Sequence, residues 1–154
     1  MPDGIRLLRN GRVTWLKWHR ARKTAADLPF TGERILEGLK LGASVEVDLV
    51  RHGGGFAVLH DFSLDRDTTG HGRVADTSPE LLRTLFLRGR DGRPTAHRPM
   101  LFEDLCALIA AGQDISPAAV LQLDLKEDAP ALTPEVVKSF AASATPVARH
   151  FILS

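Results

Sequence analysis

Two acidic residues lie two positions apart in an otherwise apolar segment in the first third of the chain. Glu46 and Asp48 alternate with valine and leucine in the sequence VEVDLV, which is typical of a buried β-strand. Because the side chains of a strand alternate between its two faces, both carboxylates lie on the same face, roughly 7 Å apart. Burying two unpaired carboxylates costs several kcal/mol each, so the pattern predicts neutralising groups opposite them.

Further polar side chains stand at the ends of other predicted strands, and in VLQLDLK they alternate with leucine as in VEVDLV. These residues are His19, Arg20, His60, Asp61, Asp124 and Lys126. A closed parallel barrel brings its strand ends together at one rim, where enzymes of this architecture keep their active sites. Glu46, Asp48 and Asp124 converging there would form an oxygen-ligand site for a hard divalent cation, Mg²⁺ or Ca²⁺.

The remaining polar residues add acid–base and anion-binding groups. His19 and His60 are candidates for an acid–base pair near neutral pH, and Arg20 and Lys126 can hold an anionic substrate. A metal, two bases and two cations together suit phosphoryl chemistry. The structural alternatives are an ion-pair network around the carboxylates, a same-face Asp124–Lys126 pair and a structural His60. They are less favoured for the set as a whole.

The elements that must position these residues follow from periodicity and turn signals. We predict strands over residues 5–8, 13–18, 45–50, 56–60, 120–126 and 150–154. We predict helices over residues 31–41, 78–87, 101–111 and 133–143, with serine or threonine N-caps before proline in the second and fourth. Asn10-Gly11 predicts a tight hairpin turn between the first two strands, and Trp15 and Trp18 are predicted to lie in the core or a pocket wall.

Strands that alternate with helices indicate a parallel α/β sheet or barrel. We count about five strands, whereas a (β/α)8 barrel needs about 250 residues. The sequence therefore predicts a single domain, residues 1–154, that contains the first five or so strands of a TIM barrel. A small open sheet is the alternative. An open edge on an incomplete barrel predicts self-association.

Composition excludes several classes of function. The chain has 154 residues, 25% of them charged, and a formal net charge of +1, which gives no reason to expect a nucleic-acid partner. It has no apolar run long enough for a membrane span and no signal-peptide pattern, so we expect a cytoplasmic protein. The one cysteine, Cys106, is predicted to lie buried in a helix.

The segment VEVDLVRHGGGFAVLHDFSLDRDTTGHGRVAD closely resembles the signature of glycerophosphodiester phosphodiesterases. In that family a Glu-x-Asp strand precedes a His-Asp strand and a Leu-Asp-Arg-x-Thr-x-Gly-x-Gly loop. The resemblance extends upstream to WHR and downstream to RPMLFEDLCALI and LQLDLK, and covers roughly residues 15–126. It implies a TIM barrel of the phospholipase-C-like phosphodiesterase type.

The resemblance also implies a role for each candidate residue. Glu46, Asp48 and Asp124 would bind the metal, with Asp124 in the place of a family glutamate; His19 and His60 would be the general acid and base; Arg20 and Lys126 would contact the phosphate. The implied substrate is a small glycerophosphodiester, cleaved to glycerol 3-phosphate and an alcohol. In the mechanism that the resemblance implies, the glycerol 2-hydroxyl would attack first and water would then open the resulting cyclic phosphate.

Besides Asp124, the sequence departs from the family at two further places, and it leaves two other functions open. Ala21 stands where the family has glycine, and Leu28-Pro29-Phe30-Thr31 stands where the family has Pro-Glu-Asn-Thr. One alternative is a truncated or decayed barrel that retains the metal residues but acts at most by binding or association. A further alternative is a sphingomyelinase-D-like phospholipase acting on a choline phospholipid.

Overall fold

An N-terminal hairpin precedes the main sheet. The computed structural model describes residues 4–154, in which β1 (Arg6–Arg9) and β2 (Arg12–Trp15) pair antiparallel. Asn10 and Gly11 both have positive φ, as the predicted two-residue turn requires. The prediction of one continuous strand over 13–18 is wrong: the chain leaves the hairpin at Leu16, whose N–H donates to the Ile5 carbonyl.

The main sheet has five strands, and four of them run parallel. They are β3 (Lys17–Trp18), β4 (Ser44–Arg51), β5 (Phe56–Val58), β6 (Val120–Leu125) and β7 (Phe151–Leu153). The parallel strands lie in the order β3-β4-β6-β7, while β5 pairs antiparallel with β4 beyond a three-glycine turn. Neighbours in space are therefore successive parallel strands of the chain, as in a barrel, which confirms the predicted partial barrel.

Four α-helices occur in the range 4–154. They are α1 (Gly32–Leu41), α2 (Pro79–Leu82), α3 (Phe102–Ala111) and α4 (Pro134–Ala144). The predicted N-caps are confirmed, since the hydroxyls of Ser78 and Thr133 accept hydrogen bonds from backbone amides of the first turn. α2 is shorter than predicted, because Leu87 bonds through its backbone to Thr95 and His97 instead of continuing the helix.

The core lies between the helices and one face of the sheet. Val45, Val47 and Leu49 are fully buried on this face of β4, as the alternation of VEVDLV predicts. Trp18 is also buried, at 2% exposure, but Trp15 is 67% exposed on the hairpin, so the prediction that both lie in the core or a pocket wall is wrong for Trp15. The difference follows from the break at position 16, which leaves Trp15 outside the main sheet.

Two expectations from composition can be compared with this fold. Cys106 is buried in α3, and burial raises the pKa of its thiol to about 12, which confirms a core residue. Among residues 4–154 no helix combines the length and the apolar character that a bilayer crossing requires. The cytoplasmic location stays a prediction.

α1 contacts the sheet closely at a glycine. A Cβ atom added at Gly38 would lie 2.5 Å from Val45 Cγ2 and 3.0 Å from Trp18 Cε3. Both neighbours belong to the buried core, so neither can move away easily. The close packing of the helix on β3 and β4 therefore requires glycine at this position.

We expect Gly38→Ala to lower the free energy of unfolding by about 1–2 kcal/mol. The 2.5 Å approach to Val45 places the overpacking cost in the upper part of its range of about 1–3 kcal/mol, which exceeds the gain of about 1 kcal/mol in helix propensity. Urea unfolding measures the change. Gly32→Ala is the matched control, because its Cβ would meet the ends of two flexible side chains, Leu108 at 3.0 Å and Met100 at 4.0 Å. Equal stability of wild type and Gly38→Ala would contradict the packing argument.

An ionic network holds the connection between β3 and α1. Asp27 accepts hydrogen bonds from the amides of Lys23 and Thr24 and forms a 2.6 Å ion pair with Arg34. Burial acts to raise the pKa of Asp27, but the amide hydrogen bonds and Arg34 outweigh it and lower the pKa below its usual value. The ionised carboxylate therefore stabilises the folded loop.

The network should make stability depend on acid pH. Because the pKa of Asp27 is lower in the folded than in the unfolded chain, its contribution is present above about pH 4. It is lost as the pH falls through the folded-state pKa. We expect the stability difference between wild type and Asp27→Asn, measured by urea unfolding, to shrink from pH 7 to pH 3. A difference independent of pH would contradict this assignment.

β7 forms one border of the main sheet. It pairs with β6 on one side, and Ile152 and Leu153 are 54% and 58% exposed. A strand edge with exposed apolar side chains is a template for pairing with another chain. The predicted self-association has its physical basis here and stays a prediction.

We expect the isolated chain to self-associate with rising concentration, as measured by sedimentation velocity. Ile152→Lys should reduce the association, because a charge on the edge strand opposes strand pairing. Leu81→Lys is the control, since Leu81 is equally exposed but lies on α2. Association that persists unchanged in Ile152→Lys would show that the β7 edge is not responsible.

Candidate metal centre

The register of two neighbouring strands brings three carboxylates together. β4 and β6 pair parallel with Asp48 opposite Asp124 and Glu46 opposite Gln122. Since these positions share a face, one carboxylate oxygen each from Glu46, Asp48 and Asp124 lie within 4.8 Å of one another. The sequence prediction that the three acids converge is confirmed, and the cluster has the oxygen donors that Mg²⁺ and Ca²⁺ prefer.

Asp48 is the most buried member of the cluster. Its side chain is 1% exposed, and both of its oxygens are buried. Burial raises the pKa of Asp48, although the charges of Lys126, His60 and Arg20 oppose the shift. A buried carboxylate needs cationic partners, which a metal ion or basic side chains can supply.

Two predicted cations stand beside this carboxylate. Lys126 Nζ lies 3.2 Å from Asp48 Oδ1 and 2.5 Å from Asp124 Oδ2. The hydrogen bond to Asp124 is the main reason that the pKa of Lys126 is raised. Arg20 Nε lies 3.7 Å from Asp48 Oδ2, and it is buried without a hydrogen bond. These contacts supply the neutralising charge that the alternation predicts for Asp48.

A third cation was missed by sequence reasoning. Lys17 Nζ lies 2.8 Å from Glu46 Oε2 and donates a 2.7 Å hydrogen bond to Gln122 Oε1. The alternation of the strand indicates this contact: Lys17 lies two residues before His19, so its side chain lies on the face opposite the buried Trp18.

Of the two predicted histidines, His19 contacts a carboxylate of the cluster and His60 interacts electrostatically with Asp48. His19 Nε2 is 3.4 Å from Glu46 Oε1. His60 follows β5, not within it as predicted, and its Nδ1 is 2.6 Å from Asp61 Oδ1. Arg66 in turn donates a 2.9 Å hydrogen bond to the Asp61 carboxylate, so this carboxylate–guanidinium pair orients the imidazole. This contact leaves His60 Nε2 as the nitrogen available to a ligand.

The turn that carries His19 has an unusual backbone. Arg20 and Ala21 both have φ of 54°, in the left-handed region that glycine adopts most readily. Ala21 is fully buried, and the Arg20 carbonyl accepts a 3.1 Å hydrogen bond from the amide of Phe30. Ala21, which stands where the resembled family has glycine, therefore adopts a positive φ that glycine adopts without strain.

Similarity to known proteins is found in the fold of this chain and not in comparisons of its sequence. The sequence matches no protein-family model and no curated protein. The fold is similar to that of a glycerophosphoryl diester phosphodiesterase from Parabacteroides distasonis, with a TM-score of 0.67 and 19% identity, over 98% of this chain and 50% of that one.

Two further structures give the same result. A glycerophosphodiester phosphodiesterase from Agrobacterium tumefaciens matches with a TM-score of 0.60 and 22% identity, over 90% of this chain and 56% of that one. An Oleispira antarctica phosphodiesterase in complex with the product sn-glycerol-3-phosphate matches with a TM-score of 0.60 and 22% identity, over 88% and 52% of the two chains. The chain therefore spans about half the length of the solved structures that it matches. In fold it corresponds to part of a glycerophosphodiester phosphodiesterase barrel, as the sequence resemblance predicted.

Proposed function

We propose that this chain provides the metal- and phosphate-binding part of a phosphodiesterase that hydrolyses glycerophosphodiesters to glycerol 3-phosphate and an alcohol. The observation that carries the proposal is the buried Asp48 carboxylate, which lies beside two other carboxylates and is contacted by the cationic groups of Lys126 and Arg20. This cluster occurs on a fold shared with several phosphodiesterases of that class.

The three carboxylates are the proposed ligands of Mg²⁺ or Ca²⁺. Glu46 and Asp48 come from β4, and Asp124 from β6 takes the place of the family's glutamate. A divalent cation supplies, when bound, positive charge that stabilises the phosphate during bond exchange. The near-complete burial of Glu46 and Asp48 excludes water from these two side chains, which strengthens their attraction for a cation.

Arg20 and Lys126 are the proposed phosphate-binding residues. The buried Arg20 Nε makes no hydrogen bond to the protein, and a phosphate oxygen is a natural acceptor for it. The Oleispira antarctica phosphodiesterase binds sn-glycerol-3-phosphate on a similar fold, which supports a small glycerophosphate ligand for this chain.

His19 and His60 are the proposed acid–base pair. One imidazole accepts the proton of the glycerol 2-hydroxyl as its oxygen attacks phosphorus, and the other donates a proton to the departing alcohol oxygen. Water then opens the cyclic phosphate with the roles reversed. Asp61 fixes the ring of His60 through Nδ1, so that Nε2 exchanges the proton. Because the attacking hydroxyl belongs to the substrate, the first step is effectively unimolecular.

The proposal predicts a metal-dependent activity that requires Asp48. We expect glycerophosphocholine to be cleaved to glycerol 3-phosphate in the presence of Mg²⁺ or Ca²⁺, and Asp48→Asn to reduce the rate by at least about 100-fold. Coupled detection of glycerol 3-phosphate measures the rate, and a shift of the melting temperature by the cation reports binding separately. Asp114→Asn, an isosteric change at an exposed position, is the control.

Two results would contradict the proposal. A folded wild-type chain that releases no glycerol 3-phosphate with either cation would leave the binding-only alternative as the better description. A rate that is unaffected by EDTA and by Asp48→Asn would show that the cluster is not the active centre. Choline release without glycerol 3-phosphate release would instead favour the sphingomyelinase-D-like alternative.

A further inference from the structure

The candidate metal centre is already neutralised by side chains of the chain itself. Three carboxylates form the cluster, and three basic side chains lie within ion-pair distance of them. Lys17 pairs with Glu46, Arg20 lies beside Asp48, and Lys126 contacts both Asp48 and Asp124. The fixed charges of the three acids and three bases therefore sum to zero before any ion or ligand arrives.

Lys126 occupies the oxygens that a divalent ion needs. Its ammonium lies 3.2 Å from Asp48 Oδ1 and 2.5 Å from Asp124 Oδ2, so it bridges two of the three proposed ligands. An ion bound to both carboxylates would be close to this ammonium, where two like charges repel strongly at low dielectric. Ion binding must therefore displace Lys126 from between the two aspartates.

Lys126, rather than Lys17 or Arg20, is the base that lies between two of the proposed metal ligands. Its side chain is 28% exposed and stands just beyond the last residue of β6. Lys17, by contrast, is also held by Gln122 and contacts only Oε2 of Glu46, which leaves Oε1 for other partners. The flexible stem of Lys126 allows its ammonium to leave the carboxylates and to contact an anion above them.

The displaced ammonium and the added ion leave the site with an excess of positive charge. An anionic ligand, such as the phosphate of the proposed substrate, removes this excess and gives Lys126 a new partner. We propose that Lys126 is an internal counter-ion that makes divalent-cation binding and phosphate binding depend on each other. The inference rests on the proposed function. Linkage requires each ligand to raise the affinity for the other by the same factor.

The test is a calorimetric titration of Mg²⁺ into the chain with and without saturating glycerol 3-phosphate. For wild type we expect glycerol 3-phosphate to tighten Mg²⁺ binding by about 10-fold or more. Lys126→Met should bind Mg²⁺ more tightly than wild type in the absence of glycerol 3-phosphate. In this variant the effect of glycerol 3-phosphate should fall to less than about threefold.

Two further variants make the result specific. Lys138→Met removes the same charge from an exposed position on α4 and should behave as wild type. Lys126→Gln is the second variant, and circular dichroism shows whether each protein is folded. The wild-type measurement needs no variant, so a folding defect in either one does not prevent a decision.

The outcomes separate this inference from the proposed function. Mg²⁺ binding by wild type that glycerol 3-phosphate does not change would overturn the inference, while the metal centre itself would stand. Mg²⁺ binding that is no tighter in folded Lys126→Met or Lys126→Gln than in wild type would overturn it as well. An absence of Mg²⁺ and Ca²⁺ binding, even with glycerol 3-phosphate, would overturn both the inference and the proposed metal-dependent function.

Discussion

The parallel pairing of β4 with β6 is the constraint on which the candidate metal centre depends. Asp48 stands opposite Asp124 in this pairing, and the same register places Val47 opposite Leu123 on the core face. A shift of one residue in either strand would turn its carboxylates toward the core and its apolar side chains toward the site. The hydrophobic core therefore fixes the register, and the register in turn fixes the distance between the acids.

The site is costly for the fold that supports it. The attraction within a buried ion pair seldom exceeds the free energy lost when both charges leave water, so a protein with apolar side chains in their place is often more stable. Here one face of β4 carries core valines and leucine, while the other carries Glu46 and Asp48 with their basic partners. Close packing on the first face, including the contact of Gly38 with Val45, offsets part of this cost.

Much of this arrangement could be predicted from the sequence, because its signals are local. Alternation places Glu46 and Asp48 on one face, and hydroxyl residues before proline mark the starts of α2 and α4. The failures concern interactions between distant segments. α2 ends early because Leu87 finds backbone partners at Thr95 and His97, and β2 ends at Trp15 because the chain changes sheets. No local pattern encodes either event.

The left-handed turn at Arg20 and Ala21 has a consequence for the precision of the site. Glycine can leave this conformation for many others, whereas an alanine confined at positive φ has few neighbouring basins to visit. A methyl group that is fully enclosed by the core restricts the peptide planes further. The backbone on the C-terminal side of His19, which lies 3.4 Å from Glu46, is therefore restricted by the sterics of this turn. The turn is strained, but it holds the backbone next to His19 more rigidly than glycine would.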